Sequence, residues 1–328
     1  MLLSRRAILT TALVLPAVSG TVPAWGEDAA NYPNRPVRMI VGFAAGGGND
    51  LFARLIGQKL SENMGQPVII ENRPGAGGRL AVEYAMAQGA DGYTLVIGAT
   101  GQMAIASAIY PKLPYHPTRT FAPIAMIASF PLILAGPMND SIKSVQDLVA
   151  WGKANPQSSN YATSSPAFTL TTELFKLKTG MPAQAIPYKS SNEMMLSIAG
   201  GQTLFAIADG PPTVPLVLGR KIRALAVTGA VRSSELPDVP SMAEVGLPDV
   251  DVGLWSGVFV LAGTPAAVRG KLETELRRTL ADAGVREKLK AMAVDPGGAV
   301  GDEFRRLIDA DIKRFGEIAS AANLKFEE

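Results

Sequence analysis

The sequence contains no cysteine and a single histidine, His116. The absence of cysteine excludes disulfides, thiolate zinc sites, iron–sulfur clusters and thiol catalysis. One histidine cannot supply a histidine-based metal centre or a mechanism that needs two histidines as acid and base. The groups left for function are backbone amides, hydroxyls, carboxylates, arginines and aromatic rings. This inventory favours binding over catalysis and predicts neither a metal nor a cofactor.

The chain also lacks an excess of charge of either sign. Its 31 basic and 29 acidic residues give a formal net charge of +2, which is too even for a protein that binds nucleic acid by neutralising phosphates. Only 18% of the residues are charged and 47% are hydrophobic, so a large core can form and general disorder is excluded. The 328 residues are enough for two compact domains or one large one.

The first 26 residues have the pattern of an export signal. Arg5 and Arg6 form a short basic region, residues 7–20 are uncharged and mostly apolar, and small residues precede a cut after Gly26. A membrane anchor is the alternative, but the apolar stretch is short and a proline interrupts it. The arginine pair fits the twin-arginine route, and the general secretory route stays open. Removal of residues 1–26 would leave a formally neutral periplasmic protein.

Strand-like and helix-like segments alternate along the rest of the chain. Hydrophobic runs such as residues 37–43 and 93–99 each precede a turn and a segment with helical apolar spacing. This alternation predicts an α/β fold with mostly parallel sheets covered on both faces. Residues 120–139 carry no charge but contain three prolines. We therefore expect two short strands there, residues 124–129 and 132–135, and not a membrane span.

Two lobes are expected, because two strand-like segments are long enough to leave one lobe and enter another. These crossings are residues 120–139 and 252–261. The first lobe would hold residues 27–130 together with 254–328, and the second lobe residues 131–253. Two such crossings make a stiff hinge that lets lobes close on a ligand.

The later segments carry four more specific expectations. A short helix, a long surface excursion and two amphipathic helices are predicted at residues 214–218, 232–248, about 265–292 and about 302–322. The third of these is expected to break near Gly284.

Four strand-to-helix turns have a composition that suits anion binding: residues 43–50, 98–101, 163–166 and 208–210. Ligands of open parallel sheets bind beyond the carboxyl ends of the strands, and successive amides at a helix start hold a carboxylate or phosphate. Each turn alone is also explained as an ordinary helix cap. Their co-occurrence favours an anion-binding cleft that works through main-chain dipoles without cations.

Other functional motifs are incomplete in this sequence, and single residues have more than one interpretation. Residues 75–80 follow a strand but have Leu80 where a dinucleotide fingerprint needs glycine or alanine. Residues 254–257 lack the first glycine of a nucleophile elbow, and a hydrolase would have to use His116, which is typical of a loop. Asp209 fits either a helix cap or a group that orders a water or an amine.

Several segments together resemble the Bug-type solute receptors of tripartite tricarboxylate transporters. They are residues 33–47, 65–78, 91–95, 121–124, 186–189 and 236–241. The resemblance implies a type II-like, two-lobed periplasmic binding protein that captures a small carboxylate, either a di- or tricarboxylate or an aromatic acid. It further implies a non-enzymatic protein, expected to be a monomer, that presents this ligand to a membrane permease. An exported α/β hydrolase and a ligand sensor for a two-component kinase are the alternatives.

The resemblance also implies where the ligand binds. Two loops of the first lobe would hold one carboxylate, and a helix start in the second lobe the other end of the ligand. The residues that match are Phe43, Ala44, Ala45, Gly46, Gly47, Thr100, Gly101, Thr163, Ser164, Ser165, Phe168, Thr169 and Asp209. The chain departs from the family at residues 165–168, where a glycine-serine pair is common, and at Ser190, where glycine is common. These departures leave the identity of the carboxylate open.

Overall fold

The computed structural model describes residues 31–321, so the predicted export signal lies outside the described residues. The strands are β1 (Val37–Val41), β2 (Val68–Asn72), β3 (Thr94–Ala99), β4 (Phe121–Pro131), β5 (Ile133–Pro137), β6 (Asn160–Thr163), β7 (Gln184–Pro187), β8 (Ala206–Ala208), β9 (Ile222–Val227), β10 (Gly253–Leu261) and β11 (Asp295–Pro296). The helices are α1 (Gly48–Met64), α2 (Arg79–Met86), α3 (Ala106–Ile109), α4 (Val145–Ala154), α5 (Pro166–Thr179), α6 (Ser191–Ala199), α7 (Gly210–Leu218), α8 (Ala266–Ala281), α9 (Ala283–Lys290) and α10 (Gly301–Ala321).

Within residues 31–321, six strands form a large sheet in the order β11-β4-β10-β3-β1-β2. β1 pairs in parallel with β2 and β3, whereas β10 runs antiparallel to β3 and β4. The central strands are continuous hydrophobic runs, because helices cover both faces of a parallel sheet. The side chains of Val37, Met39 and Val41 in β1 are fully buried. The large sheet therefore places the carboxyl ends of β1, β2 and β3 at one edge.

The middle of the chain builds a small sheet, β8-β5-β9, and a parallel pair, β6-β7. β5 runs antiparallel to both of its neighbours, so β8 and β9 share one direction. A parallel bridge between Tyr161 and Phe205 joins β6 to the segment that leads into β8. In both sheets most strands run in one direction. The strand that follows a passage from the other sheet runs the opposite way: β10 in the large sheet and β5 in the small one.

The chain passes between the two sheets twice. Leu132 alone separates β4 in the large sheet from β5 in the small one, and residues 228–252 lead from β9 to β10. Both strands predicted for this region are present, as β4 and β5. β4 extends beyond the predicted residues 124–129 at both ends, although it contains Pro123. That proline lies where the pairing of β4 with β10 is irregular, and such irregular positions tolerate a residue without an N–H group.

The bounds of other elements also have physical reasons. α7 begins at Gly210 and not near residue 214, because prolines are accepted in the first turn of a helix, where the N–H group has no partner. The break predicted near Gly284 is confirmed: it falls at Asp282, where the carboxylate accepts a hydrogen bond from Val285 N at 3.1 Å and starts a new helix.

Residues 232–248 form neither strand nor helix, as expected, but they are not simply a surface excursion. The side chains of Leu236 and Met242 are buried, and Ser241 bridges Val227 at the end of β9. The apolar residues of this segment cover the small sheet. The high proline and charge content of the segment had predicted an exposed segment instead.

Candidate functional site

A cavity of about 540 Å³ opens between loops that follow strands of the two sheets. On the large-sheet side its wall consists of residues 42–43, the loop of residues 75–79 after β2, and Tyr110. On the other side the wall consists of residues 163–169 and residues 187–193. Its volume lies in the range of pockets for small ligands. We call it the main cavity.

A second, much smaller cavity of about 20 Å³ lies next to the main cavity and shares Phe43, Ser164 and Ser165 with it. Its other lining residues include Thr100, Gly101, Phe168, Asp209 and Trp255. We call it the inner cavity. The two cavities together bring ten of the thirteen predicted ligand-binding residues to one place. These ten are Phe43, Gly47, Thr100, Gly101, Thr163, Ser164, Ser165, Phe168, Thr169 and Asp209.

The other three predicted residues, Ala44, Ala45 and Gly46, line neither cavity. Ala44 N donates to the carbonyl of Lys189 at 3.2 Å. The left-handed backbone of Gly46, at φ 85°, directs its N–H to Asp50 Oδ2 at 2.9 Å. These two amides therefore serve the loop and its contact across the cleft, and they do not form the anion nest that the glycine-rich sequence predicts.

The N-terminus of α5 lies on the wall of the main cavity. Ser165 caps the helix by accepting a hydrogen bond from Phe168 N, and the hydroxyls of Thr163 and Thr169 lie 2.8 Å apart. Ser164 Oγ is buried and has no hydrogen-bond partner within residues 31–321. A helix N-terminus carries a partial positive charge that stabilises an anion. Ser164 thus adds an unused hydroxyl to a wall that already favours negative charge.

Asp209 is the N-cap residue of α7, and its side chain is only 1% exposed. Burial raises the pKa of Asp209 to about 6, while hydrogen bonds from Ser191 and from the Gly48 amide oppose this rise. Its Oδ1 has no hydrogen-bond partner among the described residues, and the residue lines the inner cavity. Asp209 thus occupies the N-cap position, but its side chain makes no capping hydrogen bond to α7, and Oδ1 remains a free acceptor beside the inner cavity.

Glycines let the two sides of the cleft approach closely. A Cβ atom added to Gly48 would lie 1.8 Å from Asp209 Oδ2, and one added to Gly77 would lie 2.7 Å from Pro166 Cδ. A Cβ atom on Gly101 would lie 3.2 Å from that of Ala167. The glycine-rich turns therefore act as close-contact surfaces between the two sides, in addition to lining the cavities.

The sequence reasoning missed the loop of residues 75–79 and the cations Arg79 and Lys189, all of which lie on the main cavity. The expectation of a cleft without cations is therefore corrected. The missed loop follows β2, which pairs in parallel with β1. The loops after β1 and after β2 therefore leave the same edge of the large sheet. The position of this loop after a strand was available from the sequence, but it was tested only as a dinucleotide fingerprint.

The two residues proposed for a hydrolase, Ser256 and His116, are not paired with each other. Ser256 Oγ donates to Asn49 Oδ1 at 2.7 Å, and His116 Nδ1 accepts from Thr118 N at 3.3 Å. Burial lowers the pKa of His116, and the neighbouring Arg119 lowers it further. Neither His116 nor Ser256 lines the main or the inner cavity.

Within residues 31–321, no cluster of three or more histidine, cysteine or acidic side chains is arranged to hold a metal ion. In that same range, each helix is too short or too polar to cross a membrane.

The solved structures that the fold matches define the class of protein. The chain superposes on R. palustris Rpa4515 with adipate at a TM-score of 0.85 and 34% identity, covering 89% of this chain and 99% of that one. It superposes on MatC (Rpa3494) from Rhodopseudomonas palustris with bound malate at a TM-score of 0.83 and 28% identity, covering 88% and 99%. A TM-score of 0.86, at 27% identity and with 90% and 100% covered, relates it to the periplasmic binding protein BugD. The fold is thus the two-lobed α/β fold of periplasmic binding proteins.

The sequence comparisons identify the family. The model of the tripartite tricarboxylate transporter family receptor matches residues 52–324. BugT of Bordetella pertussis is 32% identical over 303 residues, which cover 92% of this chain and 93% of BugT. The chain belongs to the tripartite tricarboxylate transporter receptor family, whose members are periplasmic solute-binding receptors. The resemblance and the receptor function drawn from the sequence are confirmed: the protein is a solute-binding receptor of this family.

Proposed function

We propose that this receptor binds a small di- or tricarboxylate or aromatic acid in the main cavity, with one carboxylate at the N-terminus of α5. The observation that carries the proposal is the buried and unpartnered Ser164 Oγ at the positive end of that helix. The adipate and malate bound by the solved relatives support a dicarboxylate in particular. A carboxylate accepts hydrogen bonds from hydroxyls and amides, which matches the donors on this wall.

The proposed binding mechanism is closure of two lobes. In this proposal residues 31–130 and 254–321 form one lobe and residues 131–253 the other, following the division expected from the sequence. The ligand first meets the loops of the large sheet, and the start of α5 then engages it. Only contacts made in the closed form favour closure. The close approaches at Gly48, Gly77 and Gly101 support a cleft that is shaped for such closure.

The role in the cell follows from the same proposal. The protein is exported by its N-terminal signal, acts as a monomer without catalysis, and delivers its ligand to the permease of a tripartite transporter. Neither alternative has a specific observation in its favour. Ser256 and His116, the residues that a hydrolase would use, are not paired with each other. No feature of residues 31–321 distinguishes a kinase partner from a permease.

Isothermal calorimetry of the chain without residues 1–26 tests the binding function. The panel pairs monoacids with diacids of the same carbon skeleton: butyrate with succinate, hexanoate with adipate, and 4-methylbenzoate with terephthalate, together with malate and citrate. We expect at least one acid to bind with micromolar affinity. The absence of binding by every acid would contradict the proposal.

Ser164→Ala tests the placement of the carboxylate. We expect affinity to fall by about 10- to 100-fold, because a hydrogen bond to a charged group contributes about 1.5–3 kcal/mol. Ser159→Ala is the matched control, since Ser159 Oγ is also buried and unpartnered but lies outside both cavities. Equal affinities in the two variants would place the carboxylate elsewhere.

A further inference from the structure

Arg79 lies on the wall of the main cavity with a charge that the protein does not neutralise. Its Nε donates to the carbonyl of Ala76 at 3.3 Å, and its guanidinium carbon lies 4.3 Å from the centre of the Tyr110 ring. Among residues 31–321, no carboxylate lies within ion-pair distance of Arg79. The guanidinium is therefore held in place by a ring and a carbonyl, and its remaining N–H groups have no partner in the described part of the chain.

Two arginines near Arg79 have carboxylate partners and allow a comparison. Arg54 lies 2.9 Å from Asp50, and Arg73 lies 3.4 Å from Glu71, so both are paired with carboxylates. Arg73 also stacks on an aromatic ring, that of Tyr84, with its guanidinium carbon 3.6 Å from the ring centre. The difference between Arg73 and Arg79 is the missing carboxylate and the position on the cavity wall.

Helix energetics do not explain Arg79. It is the first residue of α2, where the partial positive charge of the helix disfavours a cation. An unpaired arginine at this position therefore destabilises the helix slightly. The stacking on Tyr110 recovers part of this effect and fixes the direction of the planar group.

The main cavity thus has anion-binding groups on two walls. The start of α5 supplies neutral donors, including the unpartnered Ser164 hydroxyl, and Arg79 supplies a full positive charge. Gly77, in the loop that leads to Arg79, packs against Pro166, the first residue of α5. The two walls therefore face the same open cavity of about 540 Å³, which has room for a ligand with an acidic group at each end.

The other charged groups on the wall do not replace Arg79. Lys189 is exposed, and its backbone N–H donates to Glu193 Oε2 at 3.0 Å, so the Glu193 carboxylate lies beside it. Among residues 31–321 no ion pair joins the Lys189 ammonium group to this carboxylate, so Lys189 is a second unpaired cation on the wall and is tested alongside Arg79. An arginine also offers two parallel N–H donors to a carboxylate, which a lysine does not.

We propose that Arg79 binds the second acidic group of the ligand and thereby selects dianionic acids over monoanionic ones. This inference rests on the proposed carboxylate-binding function. The acid that binds would have one carboxylate at the start of α5 and the other on the Arg79 guanidinium.

The test compares Arg79→Gln with the wild type by calorimetry on the three matched pairs of acids. We expect affinity for the bound diacid to fall by about 10- to 100-fold, because a charge-assisted hydrogen bond is lost. Affinity for the monoacid partner should change by less than about twofold, because a monoacid does not reach Arg79. Arg79→Lys should recover part of the diacid affinity. Arg73→Gln is the control, since it changes a stacked arginine on the same loop that lies off the cavity.

The outcomes separate this inference from the function on which it rests. If the wild type binds no acid, the proposed function and the role of Arg79 both fail. If the wild type binds but Arg79→Gln weakens diacid and monoacid equally, or neither, only the role of Arg79 fails. Loss of discrimination in Lys189→Gln and not in Arg79→Gln would assign the role to Lys189. Circular dichroism and thermal unfolding confirm that each variant is folded.

Discussion

At the scale of single residues, Asp209 has an ionisation that depends on the fold. Its carboxylate is buried, accepts hydrogen bonds from Ser191 and from the Gly48 amide, and keeps one oxygen without a partner among residues 31–321. Burial disfavours the charged form more than these two hydrogen bonds favour it, so its pKa rises from 3.8 to about 6. Asp209 therefore binds a proton in a pH range where an exposed aspartate would already be charged.

Asp209→Asn should change how stability depends on pH. Between about pH 4 and pH 6 the folded chain keeps the Asp209 proton while the unfolded chain has lost it. The stability contributed by this group is thus present below about pH 4 and is lost as the pH rises through about 6. The free energy of unfolding of the wild type, measured against Asp209→Asn, should fall by up to about 3 kcal/mol from pH 4 to pH 7. Denaturant unfolding of both ligand-free proteins at several pH values measures this difference, and parallel curves would contradict it.

At the scale of secondary-structure elements, the N-termini of α1, α6 and α7 contact one another across the cleft. The first residue of α1, Gly48, lies against Asp209 at the start of α7, and its N–H also lies 3.4 Å from Ser191 Oγ, its acceptor, at the start of α6. The start of α1 is therefore capped by side chains that come from the other side of the cleft. This arrangement couples the position of a helix on the large sheet to the two helices that face it.

Gly48→Ala should disturb the close approach between the start of α1 and Asp209. The added Cβ would lie 1.8 Å from Asp209 Oδ2, and the backbone of Gly48 lies outside the left-handed region, so the effect is steric. We expect calorimetry to show affinity for the bound acid reduced about tenfold or more, since overpacking a buried contact costs about 1–3 kcal/mol.

The matched control for this variant is Gly270→Ala in α8, where an added Cβ has no neighbour within 4 Å. It should leave affinity unchanged and raise stability by up to about 1 kcal/mol, because alanine favours helix over glycine. Unaltered affinity in Gly48→Ala would show that ligand binding does not need this close approach.

At the scale of the whole molecule, Thr228 ties together the two passages between the sheets. Leu132 N donates to Thr228 Oγ1 at 2.7 Å, and that hydroxyl donates to the Val252 carbonyl at 2.8 Å. Thr228 N also donates to the Leu132 carbonyl at 2.7 Å. One buried threonine thus links the residue that precedes β5 with the residue that precedes β10.

Thr228→Val should weaken this link. It removes the hydroxyl while keeping the shape, and it leaves the Leu132 amide and the Val252 carbonyl without their partner. We expect the free energy of unfolding to fall by about 2–4 kcal/mol, because each buried group that loses its hydrogen bond costs about 1–3 kcal/mol. Thr228→Ser keeps the hydroxyl and should lose much less. Denaturant unfolding compares the three proteins, and equal losses in both variants would mean that packing of the methyl group dominates.

Much of the fold was predictable because it depends on local patterns. The hydrophobic run of residues 37–43 predicts β1, and the helical spacing of apolar residues after it predicts α1. Both patterns involve only residues that are close together in the chain. The bounds of β4 and α7 were less accurate. Prolines inside both elements are accepted through a pairing irregularity or a helix first turn, and only the tertiary structure shows these.

The candidate site was predictable in its location and less so in its chemistry. The turns after β1 and β3 and before α5 were predicted to lie at one place, and Phe43, Thr100 and Ser164 line the two adjoining cavities. It did not show that the Gly46 amide is used by Asp50, nor that Arg79 remains unpaired on the cavity wall. Those facts depend on which groups meet across the folded chain.

The sequence by itself determined the α/β class, the absence of thiol chemistry and the receptor family, because composition and short motifs carry them. Only the tertiary structure decided which donors stay free for a ligand. Hydrogen bonds and ion pairs are short-ranged, so a residue such as Arg79 is paired or unpaired according to neighbours that are distant in the chain.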